Sequence, residues 1–235
     1  MAFEFNGIFH HSESFKPSGY HRLKTQLCAE QGIRLIHVFE DDWNLRKDIV
    51  KARITDIIGS VSEINATDCI VREIKPRETY RFLNENHLKG ACRGEYKYGL
   101  FCNGNLIAAM IFGNQTAGNL ELLRYCTKLN TSVIDGVKML FKYHLDKYNK
   151  DVVAYDDISW SEAELYESLG FKYESTSDPD YAYIFRSVRK SRLRYTKEKL
   201  IAKGFTGDSE HDIMLGRNIY RIYDCGKSKY VHSMK

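Results

Sequence analysis

The chain has 235 residues, 43% of them hydrophobic and 13% aromatic, with a formal net charge of +4. That is enough apolar material for one large domain or two small ones, and too little charge bias to mark a nucleic-acid binder by itself. No apolar run approaches the roughly 20 residues a bilayer-spanning helix needs, and no basic segment followed by an apolar stretch opens the chain, so neither membrane insertion nor secretion is expected.

Residues 3–9 read as a strand whose alternation sends Glu4 and Asn6 to one face and Phe3 and Phe5 to the other. After the break at Pro17 to Gly19, residues 20–31 read as a helix ended by Gly32, and residues 33–39 as an apolar strand of the buried, parallel type. Asp41 or Asp42 is placed to cap a further helix running to Ile58. The order is strand, helix, strand, helix, followed by a loop over residues 59–67 that is taken as a boundary.

Beyond it the pattern predicts strands over 69–74, 98–102, 106–112 and 120–126, with a helix over 76–86. Asn103-Gly104-Asn105 predicts a hairpin between the second and third of those strands. A helix over 137–148, a strand over 152–156, a helix over 162–169 ended by Gly170 and a strand over 181–186 complete the region. Arg186, Arg189, Lys190, Arg192, Arg194, Lys197 and Lys199 crowd one short stretch, expected to be helical and the best candidate for phosphate contact. Ile219 to Tyr223 reads as a strand. Cys28, Cys69, Cys92, Cys102, Cys126 and Cys225 have no CxxC pair or zinc spacing and read as reduced thiols in or near the core.

Three stretches carry a resemblance: Glu4-Phe5-Asn6-Gly7-Ile8-Phe9-His10-His11, Gly19-Tyr20-His21-Arg22-Leu23-Lys24-Thr25 and Ile33 to Trp43. Over residues 1 to about 59 the chain resembles phage homing endonucleases related to the very-short-patch repair nuclease, a branch of the PD-(D/E)XK superfamily. The resemblance implies Mg²⁺-dependent hydrolysis of double-stranded DNA in the cytoplasm of a bacterial host. Glu4, Glu40 and Asp41 would surround the metal, His11 or His21 would move a proton or contact phosphate, and Lys24 would stabilise charge in the transition state. Glu4, His11, His21, Lys24 and Glu40 are thus the expected catalytic set, with Arg186, Arg189, Lys190, Arg192, Arg194 and Lys197 holding DNA. Relatives carry an earlier strand with a first metal-binding aspartate and a tryptophan where His10 stands. Completion by an upstream chain, a homo-oligomer, or replacement by Asp48 or Asp56 are the alternatives. A second reading of the same acids stays open, in which Glu40, Asp41 and Asp42 cap a helix and Glu4 pairs with Lys24.

Leu123-Arg124-Tyr125-Cys126, Val133-Ile134-Asp135-Gly136 and Leu165-Tyr166-Glu167-Ser168-Leu169-Gly170-Phe171 make residues 68–185 resemble the GCN5-related acetyltransferase fold. That resemblance implies acetyl-CoA held by the loop and helix start at Val133, Ile134, Gly136 and Lys138, with Tyr166 either protonating a thiolate or packing on Phe171. Asp135 stands where a glycine is expected, its carboxylate repelling phosphate unless it points away. Asn84 to Gly90 also matches the phage proteins, and His87 there is either a ligand, a base or a helix-end residue.

The expected fold is mixed α/β. Residues 1–62 form a short restriction-endonuclease-like βαβα element, 63–188 an acetyltransferase-like mixed sheet with flanking helices, and 189–235 a basic C-terminal segment. A metal-dependent endonuclease is the first functional expectation. An acyl-CoA-dependent N-acyltransferase and a DNA-binding protein without catalysis are its alternatives.

Overall fold

A computed structural model describes residues 1–115, 118–161 and 163–234. In chain order its elements are β1 (Ala2–Asn6), α1 (Tyr20–Glu30), β2 (Leu35–Phe39), α2 (Glu40–Ile57), β3 (Ser62–Asn65), β4 (Cys69–Glu73), α3 (Pro76–Asn86), β5 (Tyr96–Cys102), β6 (Asn105–Asn114) and β7 (Leu120–Thr127). There follow β8 (Thr131–Ile134), α4 (Gly136–Leu145), β9 (Val152–Asp157), α5 (Ala163–Ser168), β10 (Lys172–Thr176), β11 (Tyr181–Phe185), β12 (Val188–Ser191), α6 (Lys197–Ile201), α7 (Glu210–Leu215), β13 (Arg221–Tyr223) and β14 (Lys227–His232). They fall into two compact units: Met1–Leu45 with Asp157–Ser161 and Thr176–Lys227, and Arg46–Asp156 with Glu162–Ser175 and Ser228–Lys235. The division falls inside α2 at Arg46, whose backbone is not helical (φ −140°, ψ 37°).

The first unit holds a parallel pair, β1 with β2, and an antiparallel sheet ordered β12-β11-β13. Strand β1 is inverted with respect to a usual amphipathic strand. Phe3 and Phe5 are 42% and 56% exposed, whereas Asn6 is fully buried and the Glu4 side chain largely so. Strand β2 is buried along its whole length, as its apolar run predicts.

The second unit is built on a mixed seven-stranded sheet ordered β10-β14-β9-β7-β6-β5-β4, with α3 packed against β6 and β7 and α4 against β5 and β6. Alternation along β6 sends Ala108, Met110 and Phe112 to one core and Ala109 and Ile111 to the other. The helix α3 begins with Pro76 at its first turn and buries Thr79, Phe82, Leu83 and Asn86, the three- and four-residue spacing of one helical face. Asn103 and Gly104 both adopt positive φ (49° and 77°), the twist-matched two-residue turn that the Asn-Gly step predicts. The mixed α/β class and the mixed sheet with flanking helices are present as expected.

Two local expectations are corrected. The loop expected over 59–67 contains β3, which pairs in parallel with β8. The basic stretch is not one helix: it forms the second strand of the β11–β12 hairpin, a 3-10 turn (Arg192–Arg194) and the short α6. Arg186 and Ser187 turn that hairpin with φ of 47° and 60°, a conformation their residue types do not advertise. The helix expected over 162–169 is present as α5, Ala163–Ser168, and position 162 lies outside the described residues.

Candidate functional site

Two constellations contain the expected residues, one in each unit. In the first unit, parallel pairing sets Glu4 opposite His37, and the helix α1 brings His21, Lys24 and Thr25 to them. Lys24 Nζ donates to Glu4 Oε1. Thr25 donates its single hydroxyl proton to the carbonyl of His21 at 3.0 Å. His37 Nε2 lies 2.8 Å from the same oxygen, and with that proton given to the carbonyl the favoured tautomer carries its proton on Nε2. Its Nδ1 then accepts from the amide of Asn6 at 3.1 Å. Glu4 Oε2 lies 3.3 Å from that lone pair, which explains why this buried oxygen has no hydrogen-bond partner.

The other imidazoles are ordered in the same way. His21 Nδ1 donates to the Tyr223 carbonyl at 2.8 Å, so its Nε2 accepts from His11 Nδ1 at 2.9 Å. Both assignments require uncharged rings. Burial first, then the neighbouring His37 and His11, push His21 down to about 4. Burial pushes His37 down to about 4 against the pull of Glu4, and lowers His11 as well.

Glu4, His11, His21 and Lys24 are thus brought together, but the metal-dependent nuclease is corrected. Glu40 turns away to accept the Ile8 N–H at 2.9 Å. Asp41 is held by Arg189, whose Nε lies 2.9 Å from Oδ1 and whose backbone N–H donates to Oδ2 at 2.9 Å. Glu4 is neutralised by Lys24. Among the described residues no group of three or more His, Cys, Asp and Glu could hold a metal ion, so Glu4, Glu40 and Asp41 do not form the expected Mg²⁺ cage. For Glu4 the ion pair with Lys24 is the arrangement observed.

The expected DNA contacts also separate. Arg189 lies over the Phe39 ring at 4.0 Å and bridges Asp41 and Asp42, Arg192 pairs with Asp180 at 2.6 Å, and Lys197 donates to the Asp208 carbonyl. Arg186 is in the hairpin turn, Lys190 on β12 and Arg194 in the 3-10 turn, so the six do not form one helical surface.

In the second unit, β7 pairs in parallel with β9 only over Leu120 to Leu122, opposite Val152 to Ala154. Both strands continue past this three-residue ladder and leave it. At the point of separation β7 carries a bulge: Ile111 faces Arg124 and Phe112 faces Leu122, leaving Leu123 without an opposite residue. A bulge increases twist and re-aims the strand, so the same residue that interrupts the β6 pairing marks where β7 peels away from β9.

The chain leaving β7 runs through β8 into α4. Asp135 precedes the helix in the left-handed conformation (φ 58°), the geometry for which a glycine is expected there, and its side chain caps no helix N–H. It pairs instead with the ammonium of Lys138 at 2.9 Å on the solvent-exposed surface. A Cβ on Gly136 would stand 2.7 Å from Val133 Cγ1, so only glycine lets the helix start pack this closely. The first-turn N–H groups at Gly136, Val137 and Lys138 have no intrahelical acceptor. Val133 is buried beneath the helix start, whereas Ile134 is 43% exposed.

Tyr166 packs by its ring, stacked on Tyr230 at 5.2 Å and edge-on to Phe171 at 5.9 Å. His87 follows α3 as its C-terminal cap and accepts the Lys89 N–H on Nδ1 at 3.0 Å, the helix-end role. The sequence placed Asn6 on the face of Glu4 but gave no role to Asn6, Thr25 or His37, whose hydrogen bonds to one another appear only in the fold.

No family description matches the chain, and no curated protein does. Among solved structures it is similar to the ribosomal-protein-S18-alanine N-acetyltransferase from Escherichia coli, at 15% identity over 71% of this chain and 96% of that one, TM-score 0.41. It is also similar to an IAA acetyltransferase from Bacillus cereus, at 12% identity over 71% and 99%, TM-score 0.40. A Bacillus subtilis acetyltransferase in complex with CoA is a third, at 11% identity over 71% and 98%, TM-score 0.42. No helix among the described residues is long and apolar enough to cross a membrane.

Proposed function

We propose that the second unit binds an acyl-coenzyme A and serves N-acyl transfer. The observation that supports this reading above others is that the β7–β9 ladder ends after three residue pairs while both strands run on, with the chain leaving β7 leading through β8 to the helix start at Gly136. An opening in a sheet exposes one strand's N–H and C=O groups, which suit the extended amide chain of a pantetheine arm. A helix start with unpaired N–H groups suits its pyrophosphate.

Acyl-CoA, when bound, supplies an activated thioester acyl group. The chain's own residues have separate tasks. Gly136, Val137 and Lys138 hold phosphate through main-chain N–H groups, and the Lys138 ammonium balances Asp135. The β7 edge from Leu123 to Thr127 orients the arm. Val133 and Leu100, packed beneath Gly136, fix the helix start so that its N–H groups are already aimed.

The test is calorimetric titration of the full chain with CoA and acetyl-CoA, beside Gly136→Val. Saturable binding by the native chain, lost in a variant that retains its circular dichroism spectrum, is expected. No saturable binding to millimolar concentration overturns the reading.

A further inference from the structure

On the face of the sheet that carries α3, two arginines from distant parts of the chain converge on one short loop. Arg46 Nη1 lies 3.4 Å from the Asn84 carbonyl and 3.3 Å from that of His87. Its Nη2 comes so close to Gly90 that a Cβ there would stand 2.9 Å away. Arg124 Nε lies 3.4 Å from the Gly90 carbonyl, and its Nη1 donates to the Leu123 carbonyl at 2.6 Å.

These contacts use only part of what a guanidinium offers. Each has five N–H donors in a planar fork matched to an oxyanion. Here the acceptors within reach are main-chain carbonyls, most of them at long range, and among the described residues neither arginine is bridged to a carboxylate. Gly90 takes a positive φ of 65°, and the absence of a side chain is what admits the Arg46 fork. The local field is strongly positive. Burial, then Arg124, Arg53, Lys89 and Arg46, push the His87 imidazole down to about 2. Like charges gathered around a half-buried loop are unfavourable unless an anion joins them.

Arg124 is also the residue immediately after the bulge at Leu123, where β7 leaves β9. An anion bridging Arg46 and Arg124 would thus lie beside the start of the opening assigned to acyl transfer. We infer that Arg46 and Arg124 form a binding site for a phosphate ester, carried by the molecule that accepts the acyl group. The part concerning the acceptor rests on the acyl-transfer reading; the phosphate site itself does not.

The experiment is titration of the full chain with inorganic phosphate, followed by calorimetry and by the ring resonances of His87, in the native protein and in Arg46→Gln, Arg124→Gln and Arg124→Lys. Saturable binding that moves the His87 resonances is expected. It should weaken at least tenfold in each glutamine variant, with an intermediate loss in Arg124→Lys because the charge stays and the fork goes. Phosphate binding unchanged in both glutamine variants, with the fold intact, overturns the site and leaves the arginines as caps of α3 and β7. The absence of phosphate binding in the native chain overturns it too.

Two further arms identify the source. Glucosamine 6-phosphate binding at least as tightly as inorganic phosphate, with dependence on Arg124, supports a small phosphorylated amine as acceptor. A short single-stranded oligonucleotide binding much more tightly, with the same dependence, supports a nucleic-acid phosphate. Phosphate binding without any CoA binding keeps the site and removes its tie to acyl transfer.

Discussion

Asp135 and Lys138 are joined at the start of α4, carboxylate to ammonium at 2.9 Å, by a residue whose backbone is left-handed (φ 58°). Both side chains are more than half exposed, so the pair adds little stability. A left-handed non-glycine residue is disfavoured by about 1–2 kcal/mol, partly offset in a glycine variant by the larger entropy of its unfolded chain. Asp135→Gly is therefore expected to leave stability unchanged or raise it by up to about 1 kcal/mol. It also removes a negative charge beside the helix start and frees Lys138, so CoA affinity should rise several-fold. Denaturant melts and calorimetry check the two effects separately, and weaker CoA binding would count against the placement of the phosphate.

The imidazoles of the first unit predict a pH dependence with a definite sign. His21 and His37 are lowered to about 4 from an ordinary 6.5, chiefly by burial. The unfolded chain therefore binds protons that the folded one refuses. Stability is at its full value above about pH 6.5 and is lost as pH falls towards 4, by on the order of 1.4 kcal/mol per unit for each uncoupled ring. Chemical denaturation of the native chain and of His37→Gln between pH 7 and 4 should show a shallower slope in the variant. A slope equal in both would remove His37 from the account. Protonation would also place a donor on His37 Nδ1, opposite the unpartnered Glu4 oxygen, so part of the loss should be recovered.

Arg189 is predicted to behave as a structural residue. Its guanidinium joins Asp41, which is 6% exposed, and Asp42, and covers the Phe39 ring. Removing one partner of a buried pair leaves the other charge uncompensated, typically about 3–5 kcal/mol. Arg189→Met should reach that range in urea melts, and Arg189→Met with Asp41→Asn should be less destabilised than the two single changes summed. Additivity would show that the pair is not coupled.

His144 makes a different demand on the second core. Its ring stacks on Phe112 at 3.7 Å and its Nδ1 meets the Tyr98 hydroxyl at 3.2 Å, but its buried Nε2 has no partner. An unsatisfied buried group is disfavoured by about 1–3 kcal/mol. The double change His144→Phe with Tyr98→Phe, which removes the whole polar pair, should equal or exceed the native stability, whereas His144→Phe alone strands the tyrosine hydroxyl and should destabilise. A thermal melt of the three proteins decides.

Much of the second unit was legible because its signals are local. The helix over 76–86, opening at Pro76, is α3, Asn103-Gly104 announces the β5–β6 hairpin, and Asp135 stands out as a charged residue in a glycine's place. Partners far apart in sequence were not legible. β14 enters the sheet between β9 and β10 from the far end of the chain, and β3 pairs with β8 across more than sixty positions. In the first unit the polar alternation of β1 was readable and so was the possibility that Glu4 meets Lys24. The fate of Asp41 was not, because Arg189 reaches it only after the hairpin turn at Arg186 and Ser187 folds back. A run of basic residues looks like a helix surface when nothing in it signals a turn.

Strand β1 shows its two phenylalanines to water and hides its acid and amide. Sliding its pairing by one residue would exchange those faces, covering two aromatic rings at a gain of roughly 1.5–3 kcal/mol each while breaking the contacts of Glu4 and Asn6. The observed alignment is thus maintained by a polar network against the direction in which oil-and-water sorting alone would move it. Five residues at the start of the chain carry two incompatible instructions, and substitutions chosen to make this strand a better strand would be the ones that dismantle the cluster behind it.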